Sequence, residues 1–151
     1  MVYATSGFRG SALLAINLAD AKGDIDGSGA IAWKYDRDTP YVPSPLLYKN
    51  TIYFFKVNSG ILSCFNAKTG EPYYGPQRLG DVMNVYASPV AAQDRVYIAG
   101  REGTTMVIRH GPKFEVLATN DLDDHIDASP AVVGDTIYLR GHRSLYAIAE
   151  E

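Results

Sequence analysis

A repeat of Ser-Pro pairs and tyrosines constrains this chain more than any other feature. The pairs Ser44-Pro45, Ser88-Pro89 and Ser129-Pro130 lie 44 and then 41 residues apart. A polar turn and an apolar triplet with a central tyrosine follow each pair, and the tyrosines keep the same spacing: Tyr53, Tyr97 and Tyr138. Because several features stay in phase, the chain is built from repeated units.

Each unit has the pattern of short strands separated by turns. The apolar runs are rich in β-branched and aromatic residues and are bounded by Gly, Asn, Asp and Pro, and no run has a sustained helical period. A period of about 40–45 residues with four strands per unit is typical of a β-propeller. The pattern predicts an all-β fold, a partial β-propeller of about three and a half four-stranded antiparallel blades. The predicted units are residues 1–38 (partial), 39–82, 83–122 and 123–151 (partial).

Composition excludes several classes of protein. Apolar residues make up 46% of the chain and charged residues 21%, which is globular composition, and the net charge of -3 gives no footprint for nucleic acid. No apolar run reaches the roughly 18 residues of a membrane span. The single cysteine, Cys64, cannot form an internal disulfide. No signal-peptide pattern is present in this chain.

The second unit is the most informative stretch for family resemblance. It contains Leu62-Ser63-Cys64-Phe65-Asn66-Ala67-Lys68-Thr69-Gly70-Glu71-Pro72-Tyr73-Tyr74. This run resembles the PQQ-like β-propeller repeat family, in which a Leu-Tyr-Ala-Leu-Asp strand precedes a Thr-Gly turn and a Trp. Asn66 replaces the family's Asp and Tyr74 its Trp, whereas the first unit keeps the step from Gly29 to Trp33. The simplest role of Trp33 and Tyr74 is packing between blades.

The resemblance implies a function only at a coarse level. We expect a non-catalytic propeller segment that serves as a protein-interaction or ligand-binding scaffold. It would belong to a longer exported bacterial protein, periplasmic or extracytoplasmic, as with the outer-membrane assembly lipoprotein that uses this repeat.

The alternative is a segment of a PQQ-dependent quinoprotein dehydrogenase with PQQ and calcium over the ring centre; otherwise no cofactor is expected in this chain. A third hypothesis is a purely structural module inside a larger enzyme. Catalytic motifs and adjacent cysteines are missing, which favours a non-enzyme.

The incomplete blades predict partners that supply further strands. An open arc exposes unpaired edge strands, and such edges recruit other strands. We therefore expect the remaining propeller blades, or a second copy of the chain, to associate through these edges, and we expect a protein partner elsewhere on the surface.

One face of the propeller is the predicted partner site. In a four-stranded blade, the hairpin between the second and third strands and the crossover to the next blade lie on the same side. Loops there carry opposed charges, and loops on a rigid scaffold often carry function. An ordinary solvated rim with weak ion pairs is the alternative. The candidate residues are Arg9, Arg101, His142, Arg143, Asp123, Asp124 and His125.

A calcium site is the one metal hypothesis. Asp24, Asp26 and Ser28 stand at positions one, three and five of a run that resembles the start of a calcium-binding loop. The twelfth position is Tyr35 instead of the bidentate Glu of such loops. The alternative is an Asx-Gly turn that precedes an edge strand.

Overall fold

The computed structural model of the protein describes residues 1–149, so the last two residues of the predicted fourth unit lie outside the described part. Within residues 1–149 there are fourteen strands and no helix. The strands are β1 (Val2–Ser6), β2 (Ala12–Ile16), β3 (Ile31–Tyr35), β4 (Leu46–Tyr48), β5 (Thr51–Phe55), β6 (Ile61–Asn66), β7 (Pro72–Arg78), β8 (Val90–Ala92), β9 (Arg95–Ala99), β10 (Thr104–Arg109), β11 (Val116–Asp121), β12 (Ala131–Val133), β13 (Thr136–Arg140) and β14 (Leu145–Ala149).

The strands form four antiparallel sheets that follow the chain in order. Sheet 1 is β1-β2-β3, sheet 2 is β4-β5-β6-β7, sheet 3 is β8-β9-β10-β11, and sheet 4 is β12-β13-β14. Each connection within a sheet joins neighbouring strands, so every sheet is a meander. The architecture confirms the prediction of two complete and two three-stranded blades in an all-β chain.

The register shows that the four sheets are copies of one unit. Each central tyrosine stands opposite a small or β-branched residue on the next strand. The pairs are Tyr3 with Ala15, Tyr53 with Cys64, Tyr97 with Val107, and Tyr138 with Ala147. Because a shift of one residue would turn every side chain to the other face, this shared register gives the sheets the same inward and outward residues.

Tight turns set that register. In sheets 2 and 3 the two residues of the turn after the innermost strand both have positive φ: 46° and 64° at Lys49 and Asn50, and 48° and 58° at Gln93 and Asp94. Two successive positive φ angles define the type I′ hairpin, whose twist matches that of the flanking strands. Asn and Asp tolerate this conformation better than most residues.

The core consists of apolar layers between successive sheets. The layer between sheets 1 and 2 contains Leu13, Ile52, Phe54 and Phe65, all buried. The layer between sheets 2 and 3 is the largest, and its members include Tyr53, Phe55, Leu62, Cys64, Val96, Ile98 and Ile108. The layer between sheets 3 and 4 is smaller and contains Ala99, Ile126 and Leu139.

Trp33 packs between sheets 1 and 2, as predicted. Its indole Nε1 donates a hydrogen bond to the Ala67 carbonyl at 2.9 Å, and the Tyr3 hydroxyl donates to the same carbonyl at 2.8 Å. The ring lies over Gly70, where an added Cβ would be 2.7 Å from the indole Cδ2. Gly70 also has φ +75°, so both the close approach and the backbone conformation require glycine.

The innermost strands lie side by side around the sheet series. Strand β4 contacts β8, and β8 contacts β12. The serine that precedes each of these strands joins its neighbour, because the Ser44 amide donates to Ser88 Oγ at 2.9 Å and the Ser88 amide donates to Ser129 Oγ at 2.9 Å. Ala87 is buried in the same region. The Ser-Pro pairs therefore provide the contacts between the innermost strands of neighbouring sheets.

The outer strand of sheet 3 leaves a large aromatic residue outside the sheet. Strand β11 begins at Val116 and continues to Asp121, so Phe114 precedes it. Phe114 instead packs edge-on against Tyr74 of sheet 2, with ring centroids 5.7 Å apart. The β10–β11 register also shifts between Val107 and Ile108. Burial of the Phe114 ring takes precedence over its strand propensity.

Candidate functional site

The turns between strands and the crossovers between sheets meet on one face, as predicted. We call this surface the hairpin–crossover face. Its hairpins are residues 7–11, 56–60, 100–103 and 141–144, and its crossovers are residues 36–45, 79–89 and 122–130. A Cβ on Gly60 would collide with the Val82 carbonyl oxygen, and one on Gly103 with that of Leu122. Glycine therefore lets each hairpin approach the adjacent crossover.

Equivalent backbone hydrogen bonds join each crossover to the hairpin of the following sheet. Val57 N donates to Thr39 O at 3.0 Å, Arg101 N to Asn84 O at 2.8 Å, and His142 N to His125 O at 2.9 Å. These bonds hold the loops in place, so side chains on the hairpin–crossover face have a rigid support.

Arg101 is the centre of a charged group at the junction of sheets 3 and 4. Its Nε lies 3.1 Å from Asp127 Oδ1, and its Nη2 donates to Asp127 Oδ2 at 3.3 Å. The guanidinium carbon lies 4.5 Å from the centroid of the Tyr86 ring. His142 Nε2 lies 3.2 Å from the same Asp127 Oδ2, and the His125 and His142 rings are 5.7 Å apart. Both histidines were predicted for this face.

Asp123 and Arg143 extend this group outward. Arg143 Nη2 lies 3.1 Å from Asp123 Oδ2, and both side chains are exposed. We name Arg101, Asp123, His125, Asp127, His142 and Arg143 the Arg101 cluster. Sequence reasoning missed Asp127, although an acidic residue in a crossover that already carries Asp123 and His125 is the signal that would have found it.

Asp124 is buried and holds the fourth hairpin instead of facing a partner. Its carboxylate accepts hydrogen bonds from the backbone amides of His125, Arg143 and Ser144 and from the Tyr146 hydroxyl, and its side chain is 1% exposed. Burial by itself would raise the pKa of Asp124, but these hydrogen bonds outweigh it and hold the pKa below its usual value. The structure therefore gives Asp124 a structural role.

Arg9 lies away from the other predicted residues. It belongs to the hairpin of sheet 1, where its guanidinium carbon is 5.3 Å from the centroid of the Phe8 ring. The structure brings together six of the seven partner-face candidates at the junction of sheets 3 and 4 and leaves Arg9 beside a different set of residues.

Arg9 lies beside an exposed apolar row on the hairpin–crossover face. Sequence reasoning missed this row. The apolar row is Phe8, Tyr41, Val42, Val57 and Met83, with exposed fractions between 44% and 64%. Phe8 and Tyr41 stack with ring centroids 5.2 Å apart, and Tyr41 N donates to Val57 O at 3.4 Å. The sequence did contain an indication of this exposed row, because these five large apolar residues lie in loops instead of strands.

Val57 also has unusual backbone geometry. Its φ is +46°, a left-handed conformation that a β-branched residue rarely adopts. Its amide bonds Thr39 O and its carbonyl accepts from Tyr41, so the crossover imposes this conformation. Strained residues of this kind concentrate at functional sites, where the surrounding structure holds them.

The predicted calcium residues are engaged in local turns. Asp24 Oδ1 accepts from Asp26 N at 3.0 Å, and Ser28 Oγ donates to Ile25 O at 2.7 Å. Over residues 1–149 no group of three or more His, Cys, Asp or Glu side chains is arranged to hold a metal ion. The calcium site stays a prediction, and the Asx turn describes the observed contacts.

A quinone cofactor with a bound metal would need a cluster of metal ligands, and residues 1–149 do not by themselves assemble one from His, Cys, Asp or Glu side chains. The thiol of Cys64 is buried between sheets 2 and 3 and faces no cavity at the hairpin–crossover face. Within residues 1–149 no helix is long and apolar enough to span a membrane.

Comparison with known proteins identifies the fold. No protein-family model and no curated protein matches the sequence. BamB from Moraxella catarrhalis matches 91% of this chain and 53% of its own, with a TM-score of 0.51 and 11% identity. The quinohemoprotein alcohol dehydrogenase ADHIIG from Pseudomonas putida HK5 matches 71% of this chain and 18% of its own, with a TM-score of 0.55 and 14% identity.

A third solved structure agrees with these two. A europium-containing methanol dehydrogenase matches 79% of this chain and 22% of its own, with a TM-score of 0.58 and 16% identity. The chain spans about half the length of BamB and about a fifth of each dehydrogenase. At these identities the likeness is one of fold. The chain therefore has a β-propeller fold like that of these three proteins, and residues 1–149 form two four-stranded blades and two three-stranded ones.

Proposed function

We propose that the chain is a non-catalytic propeller segment whose hairpin–crossover face binds a protein partner. The observation that carries this proposal is the apolar row, which exposes five large apolar side chains on loops that backbone hydrogen bonds hold rigid. Contiguous exposed apolar surface with a polar border is typical of protein interaction sites. The Arg101 cluster supplies the polar border on sheets 3 and 4.

The composition of this face supports a protein partner. Interfaces are enriched in aromatic residues, Met and Arg, and a partner's side chains can bury the Phe8–Tyr41 pair and Met83 without reordering them. Arg101 is positioned by Tyr86 and Asp127, so less side-chain entropy is lost when it binds. The apolar row would provide the affinity, and the Arg101 cluster would orient the partner.

Site-specific photo-cross-linking tests the proposal. A photoreactive phenylalanine analogue at Tyr41 is compared with the same analogue at Tyr73, which is 41% exposed against 52% but lies on the outer strand β7. We expect a discrete cross-link to one other protein from Tyr41 in the cells that produce the chain, and none from Tyr73. Equal products from both positions, or none from Tyr41, would refute a partner at this face.

A charge substitution then tests the role of the Arg101 cluster. With the cross-linked partner identified, Arg101→Ala is expected to weaken binding by about tenfold, since it removes a pre-positioned arginine from the interface. The matched control is Arg109→Ala. Arg109 lies on strand β10, away from the face, and its Nε forms an exposed ion pair with Glu115 Oε2 at 2.8 Å. Equal affinity of the two variants would exclude the cluster from the interface.

We further propose that the segment belongs to a longer exported bacterial protein and acts in the periplasm or another extracytoplasmic compartment. The likeness to BamB and to a quinohemoprotein alcohol dehydrogenase supports this location. Fractionation of the producing cells with an antibody against this chain tests it, and recovery with cytoplasmic markers would contradict it.

A dehydrogenase segment is the second candidate function, because two of the solved structures named above are dehydrogenases. The assay is dye reduction by the full natural protein with alcohols, PQQ and calcium. We expect no PQQ-dependent reduction. A PQQ-dependent rate would replace the scaffold proposal with the dehydrogenase one.

A further inference from the structure

A pocket of about 250 Å³ opens on the hairpin–crossover face beside Met83 of the apolar row. Hairpin 56–60 supplies one wall, and the end of β7 with the start of crossover 79–89 supplies the other. Leu79 and Val82 are buried and form its apolar floor, whereas Met83 is 64% exposed at its rim. The pocket is therefore part of the surface that we assign to a protein partner.

Backbone hydrogen bonds fix both walls of this pocket. Gly60 N donates to Met83 O at 2.7 Å, and Leu79 N donates to Gly60 O at 3.0 Å. Val82 N donates to Leu79 O at 3.3 Å, which closes the turn at the start of the crossover. The pocket is thus held open before a partner binds, so little conformational entropy is lost when a side chain enters it.

A longer crossover creates the pocket. The leucine whose amide bonds the hairpin glycine, Leu79 in one crossover and Leu122 in the next, marks equivalent places in the two blades. From that leucine to the serine of the repeat the chain uses residues 79–88 in the first case and only 122–129 in the second, two residues fewer. The longer crossover contains Gly80, where an added Cβ would meet no atom within 4 Å. The open space beside Gly80 is therefore specific to this crossover.

The charge at the pocket is positive and unpaired. Among residues 1–149, Arg78 is the one charged residue that lines the pocket, and its guanidinium forms no ion pair. The equivalent residue in sheet 3 is Asp121, whose Oδ1 accepts a hydrogen bond from Thr104 Oγ1 at 2.7 Å. The residue opposite Arg78 is Ile61, which offers no such bond. An exposed, unpaired arginine beside an apolar pocket favours a ligand that carries a carboxylate.

The size and lining of the pocket favour an aromatic ring. A cavity of about 150 Å³ holds benzene, so this pocket has room for the ring of Phe, Tyr or Trp. The Met83 thioether and the Arg78 guanidinium both make favourable contacts with aromatic rings. Aromatic side chains that fill such pockets carry much of the affinity of protein interfaces.

We propose that this pocket binds an aromatic side chain of the protein partner, next to a carboxylate of the partner that pairs with Arg78. The inference rests on the proposed function, because it names the chemistry that the hairpin–crossover face recognises. The ring covers Leu79 and Val82, and the carboxylate stays at the exposed rim. The rest of the apolar row and the Arg101 cluster lie on the neighbouring sheets and extend the contact around this anchor.

Short peptides test the pocket without the natural partner. Acetyl-Phe-Asp-amide is titrated into the ¹⁵N-labelled protein, and amide shifts are followed. We expect saturable shifts confined to residues 59–61 and 78–83. Acetyl-Ala-Asp-amide should bind about tenfold more weakly, because it lacks the ring that fills the pocket. Acetyl-Phe-Asn-amide should bind about threefold more weakly, because an exposed ion pair contributes little.

Two protein variants locate the ring and the carboxylate. Ile61→Trp fills the pocket from its wall and should weaken acetyl-Phe-Asp-amide about tenfold. Arg78→Gln should weaken this peptide about threefold and leave the binding of acetyl-Phe-Asn-amide unchanged. Lys113→Gln is the matched control, because it removes one positive charge from an exposed residue that does not line the pocket. Thermal melting of each variant confirms that it is folded.

The variant Ile61→Trp is then combined with the photoreactive analogue at Tyr41. We expect the cross-link from Tyr41 to decrease about fivefold, since the anchor of the partner can no longer enter. An undiminished cross-link from the folded variant, equal binding of the Phe and Ala peptides, or no saturable shifts at millimolar peptide would overturn the pocket assignment alone. Peptide binding without any cross-link from Tyr41 would instead refute the proposed function, and with it the assignment of the pocket to that partner.

Discussion

The backbone amide of Ser44 donates a hydrogen bond to the side-chain oxygen of Ser88 at 2.9 Å, 44 residues further along the chain. The same bond recurs one sheet later, from the Ser88 amide to Ser129 Oγ. Ser88 is therefore both the acceptor from Ser44 and the donor to Ser129, so the two hydrogen bonds link the three serines of the repeat.

Replacing Ser88 with alanine removes the acceptor for the Ser44 amide. We expect Ser88→Ala to lower the free energy of unfolding by about 1 kcal/mol, the usual net value of such a bond. Urea denaturation followed by circular dichroism measures the change. Ser129→Ala removes the equivalent acceptor and should cost a similar amount. If both variants unfold at the wild-type midpoint, the serine bonds contribute nothing to stability.

The contact between Trp33 and Gly70 should be strongly coupled. Gly70→Ala introduces a Cβ 2.7 Å from the indole and a left-handed alanine, and we expect it to destabilise the protein by about 2 kcal/mol or more. Trp33→Ala removes the indole and should cost about 3 kcal/mol. In the Trp33→Ala background, Gly70→Ala should cost only the backbone strain of about 1 kcal/mol. A double-mutant cycle from urea titrations measures this coupling, and simple additivity would show that the ring does not restrict position 70.

Two tyrosines of sheet 2, Tyr53 on β5 and Tyr74 on β7, should respond differently to loss of the hydroxyl. Tyr53 Oη accepts from Gly111 N at 3.0 Å and lies 2.8 Å from His110 Nδ1. Tyr53→Phe leaves the Gly111 amide unpaired and should cost about 1–2 kcal/mol.

The Tyr74 hydroxyl is buried and has no hydrogen-bond partner within residues 1–149. Tyr74→Phe should therefore leave the stability within about 0.5 kcal/mol of wild type or raise it, because it removes an unpaired buried polar group. Equal destabilisation by Tyr53→Phe and Tyr74→Phe, measured as melting temperatures, would contradict the different hydrogen bonding of the two hydroxyls.

His110 should make stability depend on pH between neutrality and mild acid. Burial lowers the pKa of His110, and the negative charge of Asp94 only partly opposes this. The folded state therefore favours the neutral imidazole, whose Nδ1 accepts from the Tyr53 hydroxyl. This stabilisation is complete above the unfolded pKa of about 6.5 and declines as the pH falls below it, since the unfolded chain then binds the proton more readily.

The measurement is the free energy of unfolding between about pH 7.5 and pH 5 for wild type and for His110→Gln, which does not titrate. We expect the wild type to lose more stability than His110→Gln across this range. Identical pH profiles would show that His110 titrates alike in the folded and unfolded states.

Cys64 provides a probe of global unfolding. Burial raises the pKa of its thiol to about 12, so almost no thiolate exists at neutral pH in the folded protein. We expect a thiol-specific reagent to label Cys64 only at the rate of unfolding and quantitatively in urea. Rapid labelling of the native protein would show that the layer between sheets 2 and 3 opens locally.

The amino-acid sequence by itself determined the repeat, the all-β class and the blade count, because these depend on local patterns. Ser-Pro pairs, type I′ turn residues and central tyrosines each act over a few residues, and their common phase makes the four sheets equivalent. The packing of Trp33 between blades could also be predicted, since a large ring shortly after a glycine turn can cover the flat face of a sheet. The start of β11 could not, because Phe114 is withdrawn from the strand by a contact with Tyr74 in another sheet.

Only the tertiary structure decided which loop residues meet. Asp124 and Asp123 are adjacent in sequence, yet one is buried under four hydrogen bonds and the other is fully exposed, because only Asp124 faces the amides of the fourth hairpin. The apolar row likewise combines residues from different sheets. Their proximity depends on long-range packing between blades, which no local pattern in the sequence encodes.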